Sequence, residues 1–414
     1  MSLYLYRLFI FLYTTGIKIA AIWNPKARFW IKGRKEFPSS DADLHPGKRV
    51  WMHCASLGEF EQGRPVLEQL KKEQPGLQII LTFFSSSGYE VCKNYPGADH
   101  VFYLPSDSPQ NAKKFIENIN PDFVLWVKYE YWYFYLRELK RRNIPVFLVS
   151  GIFLPNQPFF KWYGGLWKKM LGFFDHLFVQ NVPSKIALEK IGFITNVSVS
   201  GDTRFDRVIT IAENFEPIDI IQKFCSGHQV IVAGSTWEED EEELIHFVKA
   251  NPSVKFIIAP HNVDSENLKD VKKEFKGAIY FSELTEAFAT AAHIVIIDNV
   301  GMLSRLYKYG TITYVGGGFT ASGVHNVLEA AVYGKPVIYG PEYEKYVEAK
   351  ELVYRNSGIS IQNALELETE LKRLLEDKDE INRLGEISKN YVYTRSGASK
   401  KIVDYIYEKR LLTN

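Results

Sequence analysis

Residues 311–341 read Thr311-Ile-Thr-Tyr-Val-Gly316-Gly317-Gly318-Phe-Thr-Ala-Ser-Gly-Val-His325-Asn326-Val-Leu-Glu329-Ala-Ala-Val-Tyr-Gly334-Lys335-Pro336-Val-Ile-Tyr-Gly-Pro341. A β-branched run meets three glycines, then a helical pattern with Glu329 on its first turn, then a second apolar run behind Gly334-Lys335-Pro336. This is a strand, loop, helix, strand order. Glycines let backbone N–H groups approach a phosphate closely, and a helix N-terminus adds roughly half a positive charge there. A carboxylate just inside the helix can accept both hydroxyls of a ribose. The stretch therefore predicts a site for an anionic nucleotide.

The same alternation extends in both directions. Short apolar runs at 50–54, 78–84, 100–104, 122–127, 145–149, 175–180 and 197–200 are separated by segments with helical spacing, as in 59–72 and 129–142. It resumes at 229–233, 254–259, 278–281, 293–297, 311–315 and 336–339. Two βα blocks predict an α/β protein with two parallel sheets, each covered by helices. Between them, 205–228 carries Glu213, Glu216, Pro217, Asp219 and Gly227, a shift away from core composition that predicts a hinge. The domains are then 36–204 and 229–390, preceded by a distinct segment 1–35 and followed by 391–414, the end of a long helical pattern over 380–412. Ligands of open parallel sheets bind outside the carboxyl ends of the strands, so the candidate loops are those that follow strands.

Lysines and arginines number 50 against 49 acidic residues, a balance that gives no basic character for nucleic acid. Three cysteines, Cys54, Cys92 and Cys225, lack C-x-x-C spacing and even pairing, which argues against a disulfide framework or a zinc site. The exception is the N-terminus. Residues 3–23 are almost wholly apolar apart from Arg7, Thr14, Thr15 and Lys18, and seven basic residues with no acidic one precede residue 36. Arg7 and Lys18 fall on one helical face. An apolar helix edged by such cations predicts an anchor lying in the interface of an anionic leaflet; a single-pass span and a buried core helix are the alternatives.

Five strand-end loops carry candidate chemistry. Cys54-Ala-Ser56-Leu-Gly58-Glu59 leads into a helix, where Glu59 is either a general base for a sugar hydroxyl or the partner of Ser56 in a capping box. Glu130 lies among aromatics in Lys128-Tyr129-Glu130-Tyr131-Trp132-Tyr133-Phe134-Tyr135: a satisfied acid in a buried helix, or part of a sugar- and lipid-facing wall. Arg204, in Gly201-Asp202-Thr203-Arg204-Phe205-Asp206, meets a phosphate or carboxylate, or else pairs with Asp206. Ser235 and Thr236 suit phosphate, although Ser235-x-x-Glu238 also spells a capping box. His261, after Pro260, is either a nucleotide or donor-sugar contact or a structural histidine. Asp41-x-Asp43 and Asp377-x-Asp379 are off the strand-end loops, so no metal site and no cofactor is expected.

Taken in order, Ser56-Leu-Gly58-Glu59, Glu130-x-Trp132, Gly201-Asp202-Thr203-Arg204-Phe205-Asp206, Gly234-Ser235-Thr236-x-Glu238, Asp298-x-x-Gly301 and Gly316-Gly317-Gly318 with His325-Asn326-x-x-Glu329 resemble the 3-deoxy-D-manno-octulosonic acid (Kdo) transferases of Gram-negative bacteria. The resemblance covers essentially the whole chain. It implies a glycosyltransferase with two facing Rossmann-like domains, the GT-B architecture, in which the C-terminal helix crosses back to the acceptor-binding first domain. It also implies inverting, metal-independent transfer of Kdo from CMP-Kdo to a lipid A precursor in lipopolysaccharide biosynthesis, at the cytoplasmic face of the inner membrane. Glu59, with Glu130, would be catalytic. Arg204, Ser235, Thr236, His261, Gly316, Gly317, Gly318, His325, Asn326 and Glu329 would bind the donor, while Arg7 and Lys18 would meet membrane lipid. Competing readings are another membrane-associated GT-B enzyme using a UDP-sugar, a UDP-sugar 2-epimerase-like enzyme, and a scaffold without chemistry.

Overall fold

The computed structural model describes residues 2–34, 47–128 and 130–412, so Lys35, Tyr129 and the Asp41-x-Asp43 pattern lie outside the described residues. The chain forms two compact units. One comprises residues up to Arg207 together with those from Ser396 onward; the other is Val208–Arg395.

The first unit is built on seven parallel strands, β1 (Arg49–Cys54), β2 (Gln78–Phe83), β3 (His100–Tyr103), β4 (Phe123–Val127), β5 (Val146–Gly151), β6 (His176–Val179) and β7 (Val197–Val199), in the order β3-β2-β1-β4-β5-β6-β7. Strands this apolar are buried on both faces, and their alternating residues feed two separate cores. Trp51, Val124, Trp126 and Leu148 pack into one, beneath the helices Pro109–Ile119 and Tyr133–Arg141. Val50, Met52, Leu125 and Phe147 pack into the other, against α3 (Leu57–Glu73) and the final helix Ala398–Glu408. The helical pattern over 380–412 is broken into Lys378–Tyr393 and Ala398–Glu408 at Gly397, whose φ of +98° suits glycine.

Before these strands stand α1 (Leu3–Ala20) and α2 (Pro25–Gly33). By length and composition α1 is long and apolar enough to cross a membrane. Only Tyr6 and Ile10 on it are buried, and both join the first core. The Tyr6 hydroxyl donates to Asp107 at 2.5 Å, and the same carboxylate accepts the backbone N–H groups of Phe134 and Tyr135 at 3.0–3.1 Å. One face of α1 is thus tied to the start of the Tyr133–Arg141 helix, while Leu8, Phe11, Leu12 and Ile19 face outward. Arg7 sits 5.4 Å from the Phe134 ring, and Lys18 is exposed.

The second unit repeats the plan with β8 (Val230–Thr236), β9 (Lys255–Pro260), β10 (Ile279–Tyr280), β11 (Ile294–Ile296), β12 (Ile312–Val315), β13 (Val337–Tyr339) and β14 (Gly358–Ser360), ordered β10-β11-β9-β8-β12-β13-β14 and parallel throughout. Of residues 205–228, read as a hinge, those up to Arg207 belong to the first unit and those from Val208 to this one, where Ile221 and Phe224 are buried and the Ile218 N–H donates to the Tyr309 hydroxyl at 2.6 Å. In each sheet the strand order reverses once, between β1 and β4 and between β8 and β12. Strand-end loops diverge at such points and leave a crevice.

Candidate active site

In the first unit the two loops at the reversal carry Glu59 and Glu130. Glu59 occupies the first turn of α3 and is half-buried. The expected reciprocal cap does not form, because Ser56 makes no side-chain bond to the helix backbone; its hydroxyl donates directly to the Glu59 carboxylate. That bond orients the acid.

Glu130 is held from behind by a buried relay absent from the sequence reading. The Trp51 indole N–H donates to Thr82 Oγ1 at 2.8 Å, Thr82 Oγ1 lies 2.9 Å from His53 Nδ1, and His53 Nε2 lies 2.9 Å from Glu130 Oε2. The tautomer that carries its proton on Nε2 donates to the Glu130 carboxylate and accepts from Thr82 at Nδ1. Trp132 adds a second donor at 3.2 Å, and the Trp126 indole binds the Glu130 carbonyl. His53, fully buried in β1, reads in sequence as an ordinary core histidine; only strand pairing brings it to Glu130.

Arg204 pairs with Asp202, through Nε at 2.9 Å and Nη2 at 2.7 Å. Asp206 accepts the N–H groups of Gly397 and Ser399 at 2.5 and 2.6 Å, capping the final helix.

In the second unit, Asp240 organises the reversal. This fully buried carboxylate accepts the Trp237 N–H at 3.0 Å, the Gly317 N–H at 2.7 Å and the Tyr314 hydroxyl at 2.7 Å. Burial raises its pKa, and the three donors hold that rise back. Ser235 sits at a bulge with φ +55°, a conformation uncommon outside glycine that turns the chain sharply at the strand end. The expected Ser235-x-x-Glu238 box is replaced by the Asp240 bond, because the helix begins only at Glu238.

The glycine run has reasons inside the fold. A Cβ on Gly316 would fall on the Ser235 carbonyl, one on Gly318 would lie 2.5 Å from Gly340 N, and Gly317 has φ +89°. The Gly316 and Gly317 N–H groups already donate to the Gly234 carbonyl and Asp240. The helix carrying Glu329 is a single turn, Leu328–Ala331, cut short before Gly334 and Pro336, so the macrodipole expected there is slight. Glu329 accepts from Asn326 Nδ2 at 3.0 Å.

Against this loop lies a stack of rings. Trp237 and His261 are parallel at 4.6 Å, His261 and His325 at 4.5 Å, and the Trp237 indole N–H donates to His325 Nε2 at 2.9 Å. Burial, with His261 alongside, pushes His325 down to about 4, and burial lowers His261 as well. Both rings are therefore neutral near pH 7 and form a flat hydrogen-bonding wall, suited to a base or sugar and not to pairing with phosphate charge. Trp237 was not among the sequence candidates; as the x of Ser235-Thr236-x-Glu238 it carried no signal.

Glu241 titrates in a useful range. Burial pushes its carboxyl up to about 7, Asp240 and Glu238 add to the rise, and the Thr236 hydroxyl bonded at 2.7 Å opposes it. A folded pKa above the unfolded value means stability that is fully present below about 4.3 and lost as pH rises through about 7. Glu241→Gln is expected to remove part of the fall in Tm between pH 5 and pH 8, read by thermal unfolding; an unchanged slope would assign that pH dependence to other groups.

A family profile described as 3-Deoxy-D-manno-octulosonic-acid transferase (kdotransferase) matches residues 26–207. A 3-deoxy-D-manno-octulosonic acid transferase of Aquifex aeolicus is 30% identical over 339 residues, 80% of this chain and 87% of that protein. One from Haemophilus influenzae is 24% identical over 94% of this chain and 93% of its own length. Among solved structures, UDP-GlcNAc 2-epimerase from Neisseria meningitidis bound to UDP-GlcNAc superposes with a TM-score of 0.62 at 17% identity, covering 87% of this chain and all of that one, a likeness of fold alone.

Proposed function

The chain belongs to the 3-deoxy-D-manno-octulosonic acid transferase family, a glycosyltransferase family of lipopolysaccharide biosynthesis, and from that premise we propose how its residues carry out the transfer. The donor is CMP-Kdo and the acceptor a lipid A precursor. An acceptor hydroxyl attacks the anomeric carbon opposite CMP, the new C–O bond forms as the bond to the CMP phosphate oxygen breaks, and the hydroxyl proton passes to Glu59. CMP leaves as a phosphate monoester with the bonding pair, and the configuration inverts. Glu130, oriented by His53, is the second carboxylate facing the acceptor.

Donor binding falls to the second unit. Ser235, Thr236 and the Gly318 end of the glycine loop meet the phosphate. The ring wall of His261 and His325 flanks the cytosine or the sugar, and Glu329, steadied by Asn326, takes the ribose hydroxyls. Arg204, held by Asp202, supplies positive charge for the departing phosphate without a metal.

The observation that supports this reading most is the pairing of features at the two sheet reversals: two oriented carboxylates at one, and a tightly built glycine, hydroxyl and ring loop at the other. The N-terminus supports an acceptor in a membrane. One face of α1 is fixed to the protein by Tyr6 and Ile10, and the outward face is apolar with Lys18 at its edge, the form of a helix lying in the interface on the cytoplasmic side of the inner membrane.

The test is transfer from CMP-Kdo to a purified lipid A precursor with EDTA present and product mass read directly. A gain of one or more Kdo units supports donor, acceptor and metal independence together; no product from a protein that CMP fails to protect thermally would overturn the reading. Glu329→Ala is expected to weaken CMP binding by about tenfold or more, the worth of a hydrogen bond to a charged group, measured by calorimetry. Unchanged affinity would remove Glu329 from the ribose role.

A further inference from the structure

An aromatic column crosses the first unit from the outward side of α1 to Glu130. Phe9 and Tyr13, one turn apart on α1, stack at 6.0 Å and 25°; Tyr13 stacks on Phe84 at 6.0 Å and 26°; Phe84 meets Trp132 at 4.6 Å. The Trp132 indole N–H then donates to the Glu130 carboxylate. At its outer end the column is open, with Phe9 53% and Tyr13 37% exposed.

The column is braced, not loosely draped. Arg34 lies 4.7 Å over the Phe84 ring and donates from Nη2 to the Phe84 carbonyl at 2.7 Å, while Trp30 packs edge-on against the same ring at 5.8 Å. A helix needing only to be glued to its domain has that from Tyr6, Ile10 and Asp107. Phe9 and Tyr13 instead extend an apolar track outward, and such exposure on a braced surface marks a binding surface more often than a fold requirement. Residues 2–34 hold six cations and no acidic residue, a complement to phosphates at the head of a lipid.

We propose that Phe9, Tyr13, Phe84 and Trp132 form a rail for one acyl chain of the glycolipid acceptor, laying its methylenes along the ring edges so that the sugar arrives at Glu130. The inference rests on the acceptor reading above and adds to it the residues that select an acylated substrate. An ordinary bilayer lipid is the rival occupant. It would use Phe9 and Tyr13 for anchoring and would gain nothing from a track that ends at a carboxylate.

The experiment compares two acceptors in detergent micelles, the acylated lipid A precursor and the same phosphorylated disaccharide stripped of its acyl chains, with wild type, Phe9→Ala and Tyr13→Ala. Sedimentation with vesicles containing an anionic phospholipid and a Tm are taken for each protein. The rail predicts KM for the acylated acceptor raised about tenfold, roughly the loss of two buried methylene contacts, with KM for the stripped acceptor, vesicle binding and Tm unchanged. An equal rise for both acceptors overturns the rail while leaving Kdo transfer intact, as does a rise that tracks lost vesicle binding. Transfer by the wild type to neither acceptor would fail the acceptor reading itself, and the rail with it.

Discussion

Glu59→Ala is expected to bind CMP as tightly as the wild type and to lose turnover by about 10²–10⁴, the usual worth of a positioned general base. In the proposed transfer the hydroxyl oxygen sheds its proton to Glu59 as it bonds to the anomeric carbon, whereas the residues proposed for the donor, Arg204 apart, lie in the second unit, and none of them is altered by the substitution. Ser56→Ala separates this from a structural role. It removes the hydroxyl that orients Glu59 but keeps the carboxylate, so it should lower turnover far less and move Tm little, since Ser56 makes no bond to the helix backbone. Steady-state transfer with product mass detection, beside CMP titration, decides the matter. Near-normal turnover in Glu59→Ala would leave the residue as a partner of Ser56 and nothing more.

The second large effect lies in a residue that touches no substrate. Asp240→Ala strands the N–H groups of Trp237 and Gly317 and the hydroxyl of Tyr314 in a buried place, a cost of roughly 3–5 kcal/mol in stability. The loops it joins are those assigned to the donor, so CMP should no longer raise Tm. Asp240→Asn keeps one acceptor oxygen for the two N–H groups and can turn its amide N–H₂ toward the Tyr314 oxygen, so it should cost about 1 kcal/mol and retain CMP protection. Denaturant unfolding of the two variants, with and without CMP, checks the order. Equal stability for Asp240→Ala and wild type would mean that the two loops hold their shape without it.

Much of the fold was legible because both sheets are parallel and buried on both faces, so their strands stand out as apolar runs separated by helical spacing. The strand-end rule then pointed to Glu59, Glu130, the Ser235-Thr236 loop and the glycine loop. Long-range contacts were not legible. Asp240 sits in Glu238-Glu239-Asp240-Glu241-Glu242-Glu243, which reads as a solvated helix face, and nothing local tells the two buried acids from the exposed ones. His53 gains its partner through the β1–β4 pairing, and Trp237 gains its ring neighbours from two other loops. The one-turn helix at Glu329 was overestimated because a pattern favourable to helix continues up to Gly334, whereas the helix itself covers only Leu328–Ala331. The Arg204–Asp202 pair and the bonds from Gly397 and Ser399 to Asp206 were equally hidden, the second because its partners lie 191 and 193 residues further along the chain.

The way α1 is fastened bears on how the protein can be handled outside a membrane. Cutting away the apolar N-terminus, the usual route to a soluble form of an anchored enzyme, would here strip Tyr6 and Ile10 from the interior and leave Asp107 without its phenol partner. A truncated chain should therefore aggregate through its own opened core. Repainting the outward positions Tyr4, Phe11 and Leu12 with polar residues keeps the inward face whole, and is the change expected to yield a detergent-free, folded protein.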